Sequence, residues 1–277
     1  MTYSIQVDNR NIFYHKTGNG PLNLVVIPGG PGLTYEYLEN IHEILDKKHF
    51  NVYTIEPSGF FHSNANVLPN ITAYAEEMEA ILRELSLEQF TLMGHSWGGC
   101  VGIELLLRKN VNINKAILIS SYSSGKQIRT SIVNRVNELP EAFHTKLKSN
   151  SNDLESLLAE YWIPKHVFRT GMNENSIASI TNYSNSEIGP YYIGNSLFNI
   201  DGEILNWDVS NQIYTIDIPV LLMSGRYDYC TLEENKAFAN KFPDGKLWYS
   251  EVSGHFPMHD EPKNFCEAVS EFIIAKS

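Results

Sequence analysis

Phe90-Thr91-Leu92-Met93-Gly94-His95-Ser96-Trp97-Gly98-Gly99-Cys100-Val101-Gly102 is the stretch on which the fold turns. Phe90 to Met93 is a continuous apolar run of strand length, and it stops at Gly94. Two glycines follow Trp97, and apolar residues at helical spacing follow them. The stretch therefore reads as strand, sharp turn and helix, with a serine at the apex of a Gly-x-Ser-x-Gly frame. So tight a turn strains the serine backbone and brings strand and helix together, where side chains at 94 and 98 would collide. The strain leaves the hydroxyl projecting from the sheet edge. The helix start behind it offers unpaired N–H groups to a developing negative charge. A glycine-rich connection with no chemistry has the same five residues. A base, an orienting acid and a second N–H donor, arriving in order along the chain, would decide between the two readings.

A chain of 277 residues suits one α/β domain with an insertion and is short for two independent domains. Hydrophobic content of 43% and charged content of 19% are ordinary for a globular protein. A net charge of −11 argues against nucleic acid or an anionic membrane surface as partner. Met1 to Ile5 has no basic region followed by an apolar core, and no apolar run reaches membrane-spanning length, so a cytoplasmic protein is expected. Cys100, Cys230 and Cys266 are odd in number and scattered, as reduced thiols are, and do not form a disulfide framework or a metal site. With no metal-ligand cluster and no dinucleotide fingerprint, no metal or organic cofactor is expected.

Residues 3–7 and 12–16 alternate around Asp8-Asn9-Arg10-Asn11, which predicts an antiparallel hairpin at a sheet edge. Leu22 to Ile27 reads as a buried strand running into Pro28-Gly29-Gly30-Pro31-Gly32, a loop whose main-chain N–H groups can face a ligand closely. A helix is expected over 35–45, a strand over 51–55, and an amphipathic helix over 72–85 with Thr72 as its cap. Lys115 to Ser120 is the next buried strand. Strand–helix alternation then stops from about Ser123 to Gln212, a stretch rich in Asn, Ser and Tyr with helical tone at 128–139 and 154–162. It is too long for a loop. We read 123–212 as an inserted, mainly helical lid (cap) on a core formed by 1–122 and 213–277. The sheet resumes at Pro219 to Ser224. Thr231-Leu232-Glu233-Glu234 is a capping box, Lys246 to Ser250 a last strand, and a C-terminal helix starts near Glu261. The fold class is α/β, a mostly parallel central sheet with helices on both faces.

In such sheets ligands sit at the carboxyl ends of the strands, and Ser96, Asp228 and His255 each follow one. A serine hydroxyl needs a base to take its proton, and the base needs a carboxylate to hold one tautomer. The order nucleophile, acid, histidine is that of the α/β-hydrolase fold, and Ser96, Asp228, His255 obey it. His259 rivals His255, but it stands beside Asp260-Glu261, where a helix start would hold it. His95 is expected to pack beside the site rather than act as base. Asp244 belongs to the turn Pro243-Asp244-Gly245, and Asp260 is the remaining alternative to Asp228. The oxyanion donors expected are the N–H of Trp97 and one from the Gly29-Gly30 loop.

Pro-Gly-Gly-Pro-Gly at 28–32, Gly-His-Ser-Trp-Gly-Gly at 94–99, Gly-Arg-Tyr-Asp at 225–228 and Ser-Gly-His-Phe-Pro-Met-His at 253–259 resemble the proline iminopeptidase family. Asn206-Trp207-Asp208-Val209 fits its tricorn-interacting aminopeptidase branch. The resemblance spans the whole chain and implies a serine peptidase that removes an N-terminal residue, often proline, from short peptides. It places the triad at Ser96, Asp228 and His255 and the oxyanion donors at Trp97 and Gly30. Three stretches depart from the family. Pro28 replaces the histidine that opens its glycine loop. The family's Asp-Gln-x-Gly-x-Gly-x-Ser stretch is here Glu56-Pro57-Ser58-Gly59-Phe60-Phe61-His62-Ser63. The family's lid glutamates hold the substrate amine, one shortly after a Gly-Pro, whereas Gly189-Pro190 is followed here by Tyr191-Tyr192. Glu187 is the substitute carboxylate. The alternatives are a carboxylesterase or lactonase with an aromatic lid pocket around Tyr191 and Tyr192, and a non-catalytic ligand-binding relative. The expected partner is a short-peptide or other small-molecule substrate.

Overall fold

The computed structural model describes residues 1–63, 65–149, 154–194, 196–198 and 200–275, the side chain of Glu155 excepted. An eight-stranded sheet forms the centre. In chain order its strands are β1 (Thr2–Val7), β2 (Arg10–Gly18), β3 (Leu22–Ile27), β4 (Phe50–Glu56), β5 (Phe90–His95), β6 (Ile113–Ile119), β7 (Val220–Gly225) and β8 (Gly245–Ser250). Their spatial order is β1-β2-β4-β3-β5-β6-β7-β8. β1 pairs antiparallel with β2, and β2 with β4. Every other neighbouring pair is parallel. The hairpin between β1 and β2 turns on Asp8 and Asn9, both at positive φ, as a two-residue turn of this hand requires.

Burial follows the sequence pattern. Every residue of β5 and of β7 is buried, as continuous apolar runs covered on both faces should be. The flanking helices are α1 (Glu39–Ile44), α2 (Ile71–Glu84) and α3 (Trp97–Arg108) before β6. The expected helix over 35–45 is in fact a 3-10 turn, Tyr35–Leu38, followed by α1. The cap of α2 is Asn70, not Thr72. The Asn70 side chain accepts from the Ala73 N–H, and Thr72 Oγ1 donates to Glu104 instead.

Between β6 and β7 run α4 (Gly125–Asn137), α5 (Glu141–Ser149), α6 (Leu154–Leu157), a π-type segment (Leu158–Val167), α7 (Glu174–Ser184) and α8 (Ile188–Ile193). Residues 150–153, 195 and 199 of this stretch lie outside the described residues. Its two ends lie side by side. The Gly125 N–H donates to Trp207 O at 3.0 Å and the Val209 N–H to Ser123 O at 2.9 Å. Trp207 Nε1 donates to Glu104 Oε2 at 3.1 Å, pinning the exit to α3. A long segment that leaves and returns at one point does not disturb the sheet below it. After β7 come α9 (Leu232–Ala239), which opens on the expected Thr231–Glu234 capping box, then α10 (Pro257–Asp260) and α11 (Pro262–Ile274). Among the described residues no helix is long and apolar enough to cross a membrane.

Candidate active site

Ser96 joins β5 to α3 at φ 52° and ψ −118°, a conformation side-chain-bearing residues avoid. The glycines permit it. A Cβ at Gly94 would lie 2.5 Å from Gly98 O, and one at Gly98 would lie 2.2 Å from Ile27 O. The strand β3 and the start of α3 therefore approach more closely than any side chain allows, and Ser96 is lifted to the carboxyl edge of the sheet.

Two loops from separate strands meet it there. His255, beyond β8, places Nε2 at 3.0 Å from Ser96 Oγ. Asp228, beyond β7, places Oδ1 at 2.6 Å from His255 Nδ1. Ser96, His255 and Asp228 are 8%, 4% and 2% exposed. Oδ1 of Asp228 also accepts from the Tyr229 N–H at 2.6 Å, and Oδ2 accepts from Ser224 Oγ at 2.9 Å. Asn235 Nδ2 donates in turn to Ser224 Oγ, which fixes the serine proton toward the acid. Burial works against a charge on Asp228, but the facing His255 and these donors prevail and hold its carboxyl below the usual range. The Tyr229 ring lies flat on His255, 4.0 Å between centroids and 17° between planes.

The first N–H of α3, at Trp97, has no partner within its helix, and among the described residues it and the Gly30 N–H make no hydrogen bond. Gly29 differs from expectation. Its N–H donates to Tyr37 Oη at 2.8 Å, so it is engaged and not open to the site. Tyr37 Oη lies 2.9 Å from His95 Nδ1, and His95 Nε2 lies 3.0 Å from His255 O. A carbonyl only accepts, so His95 carries its proton on Nε2 and takes the Tyr37 proton on Nδ1. Burial pushes the His95 imidazole down to about 3, so it stays neutral. His95 thus acts as a strut from the glycine loop to the base loop. Tyr37→Phe strands the Gly29 N–H and His95 Nδ1 in the interior and should cost about 1–3 kcal/mol of stability. Urea unfolding of the two proteins measures it.

The rivals to the acid and base are occupied elsewhere. His259 donates from Nε2 to Gly171 O at 2.6 Å and meets Ser176 Oγ at 3.2 Å. Asp260 accepts from the Thr170 and Gly254 N–H groups. Asp244 stands just before β8, at the opposite end of that strand from the loop carrying His255, and its main-chain carbonyl accepts the Val220 N–H. Burial pushes the Cys100 thiol up to about 12, which leaves it inert.

The three expected substrate-binding residues differ in their surroundings. Glu187, the substitute carboxylate of the sequence reading, is exposed at the residue before α8. Tyr191 is 45% exposed and donates to Pro69 O, which clips the segment 123–212 to the stretch before α2. Tyr192 is fully buried. Its hydroxyl donates to Leu68 O, and its ring packs edge-on to Trp97 at 5.6 Å. The rewritten stretch after β4 has its own job. Glu56 accepts from the Tyr35 N–H and from His62, and the Glu56 hydrogen bond pushes the His62 imidazole up. The sequence reading missed Ser224, Asn235, Tyr229 and Tyr37. Each acts through a tertiary contact that no local sequence pattern announces.

A family model described as the alpha/beta hydrolase fold matches residues 23–262. The chain is 25% identical over 284 residues to a proline iminopeptidase of Flavobacterium johnsoniae, covering 95% of this chain and 93% of that protein. Among solved structures, a proline iminopeptidase of Mycobacterium smegmatis superposes with a TM-score of 0.89 at 21% identity, over 99% of this chain and 97% of that one. An esterase of Exiguobacterium antarcticum does so with a TM-score of 0.75 at 18% identity, over 99% of this chain and 100% of that one. At such identities the two structures speak for the fold alone. The family match takes in the strand carrying Ser96 and the loops carrying Asp228 and His255, and on it the chain belongs to the alpha/beta hydrolase fold family.

Proposed function

We propose that this protein is a serine hydrolase working through an acyl-enzyme, and that it acts as an aminopeptidase of the proline iminopeptidase kind, releasing an N-terminal residue from short peptides or amides. The observation that carries the chemistry is the unbroken chain Ser96 Oγ–His255 Nε2 at 3.0 Å and His255 Nδ1–Asp228 Oδ1 at 2.6 Å. In this reading Ser96 attacks the scissile carbonyl and His255 takes its proton. The Trp97 and Gly30 N–H groups receive the charge that develops on the carbonyl oxygen. His255 then returns the proton to the leaving amine, and water, activated the same way, frees the acyl group and restores Ser96. Asp228 holds the imidazole in the tautomer that presents a bare Nε2. A purely ligand-binding protein has no use for this order of three groups. Residues 123–212 form a lid in this reading, with the core in 1–122 and 213–277. The full-length likeness to proline iminopeptidases supports the substrate class.

One observation favours a second reading, an esterase or lactonase. Among the described side chains of 123–212, every carboxylate is exposed except Glu203, which is half-buried and taken by Asn206. A substrate ammonium in a closed site needs a carboxylate to offset its lost hydration. Prolyl and alanyl p-nitroanilides, their N-blocked forms and short acyl p-nitrophenyl esters separate the two. Turnover of the free-amine anilides well above the blocked ones is expected. Turnover of esters alone would replace the aminopeptidase reading with the second.

A further inference from the structure

The acid and the base stand on loops from different strands, and the segment inserted before β7 reaches between them. The π-type segment Leu158–Val167 carries Pro164 in its interior and delivers His166, which is 1% exposed. Helices widened in this way recur at functional sites. His166 Nδ1 lies 2.7 Å from Tyr227 O, one residue before Asp228. Its main-chain oxygen accepts the His255 N–H at 2.8 Å. One residue therefore grips the acid loop with its side chain and the base with its backbone. Tyr227 O only accepts, so the proton of the ring is on Nδ1. Burial pushes the imidazole down to about 4 and keeps it neutral. The base loop is pressed against the same place, since a Cβ at Gly254 would lie 2.7 Å from His166 O.

Neighbours from the same inserted segment reinforce this contact. Arg135 of α4 donates from Nε to Asp228 O at 3.0 Å and from Nη2 to Arg226 O at 3.3 Å. Trp162 packs on His166 at 4.6 Å and on Tyr229 at 5.4 Å, and Tyr229 is the ring stacked on His255.

We propose that His166 is a positioning residue that sets the acid against the base, making this part of the segment 123–212 a fixed member of the reaction machinery and not a cover that swings away from it. The proposal rests on the reading of Ser96, His255 and Asp228 given above. The 2.6 Å bond between Asp228 and His255 depends on two loops keeping register, and a displacement of about 1 Å in such an assembly costs about a hundredfold in rate.

The test compares His166→Asn, His166→Gln and His166→Leu with the wild-type protein on whichever chromogenic substrate it turns over, with thermal midpoints measured alongside. Asparagine places an amide N–H where Nδ1 stands and can still donate to Tyr227 O. Glutamine places it where Nε2 stands, and leucine has no donor. His166→Leu and His166→Gln should lower kcat about tenfold to a hundredfold, with KM within about twofold. His166→Asn should recover most of the loss. Should the leucine protein not fold, the Asn and Gln pair carries the comparison. Equal kcat for Asn and Gln, or losses that follow the thermal midpoint and not the donor position, would overturn the proposal. Ser96→Ala in the same assay keeps the two ideas apart. If that variant still turns over substrate, the reading of the site falls. If it is inert while His166→Leu is unimpaired, only the role of His166 falls.

Discussion

Ser96→Ala should leave a folded protein that no longer reacts with a fluorophosphonate probe and that has lost on the order of 10⁴- to 10⁶-fold in turnover. The size of the loss follows from what the substitution removes. Oγ is the atom that would form the covalent bond, and no other hydroxyl stands within hydrogen-bond reach of His255 Nε2 among the described residues. The Trp97 and Gly30 N–H groups remain, so a small residual rate over water is expected from them alone. Labelling at the wild-type level would remove Ser96 as nucleophile. A companion variant separates chemistry from strain. Position 96 is held at φ 52°, which costs any residue bearing a Cβ on the order of 1–3 kcal/mol. Ser96→Gly relieves that cost and should unfold at higher denaturant than Ser96→Ala, although both are inactive. Inactive variants that differ in stability in this direction would mean that the backbone strain is kept for the hydroxyl it aims.

The elbow, the parallel strands and the order of Ser96, Asp228 and His255 were legible because local rules govern them. An apolar run of strand length, glycines at 94 and 98, and a capping box at Thr231 each specify structure within a few residues. Contacts that no local pattern encodes govern what was not legible. The Gly29 N–H looked free because nothing in Pro28-Gly29-Gly30 says that Tyr37 Oη will take it. Glu187 and Tyr191 flank the Gly189-Pro190 pair that the family resemblance singles out, yet Glu187 faces solvent and Tyr191 turns onto Pro69 O. His166 and Arg135 gave no signal at all. Their partners are main-chain carbonyls of the acid loop, and carbonyls leave no mark in a sequence. The same cause explains why His95 was recognised as packed but not as a strut. Its two hydrogen bonds join Tyr37 to the His255 carbonyl, 58 and 160 residues away.

Asp228→Asn should lower kcat by on the order of 10⁴-fold while changing the shape of the site very little. The carboxylate accepts on every side, from His255 and the Tyr229 N–H at Oδ1 and from Ser224 at Oδ2. An amide can accept on one side only. If its oxygen stays toward His255 and Tyr229, its NH₂ meets Ser224 Oγ, which already accepts from Asn235 and must turn its proton away. His255 then keeps its tautomer, but the charge that would stabilise the imidazolium is gone. If the amide flips, its NH₂ faces the Tyr229 N–H, donor against donor, and His255 must accept on Nδ1. The proton then sits on Nε2, where it cannot receive the one from Ser96. Either arrangement removes the base function without removing the base. The effect on stability has its own sign. Because the folded protein holds the Asp228 carboxyl below its usual range, the acid adds stability above the unfolded-state value, and this is lost as pH falls through the lower folded-state value. The stability gap between wild-type protein and Asp228→Asn should therefore be open at neutral pH and narrow as the medium turns acidic. A rate loss of less than about tenfold would mean that His255 is oriented by something other than Asp228. The stacked Tyr229 and the His166 carbonyl that accepts the His255 N–H would then be the groups to examine.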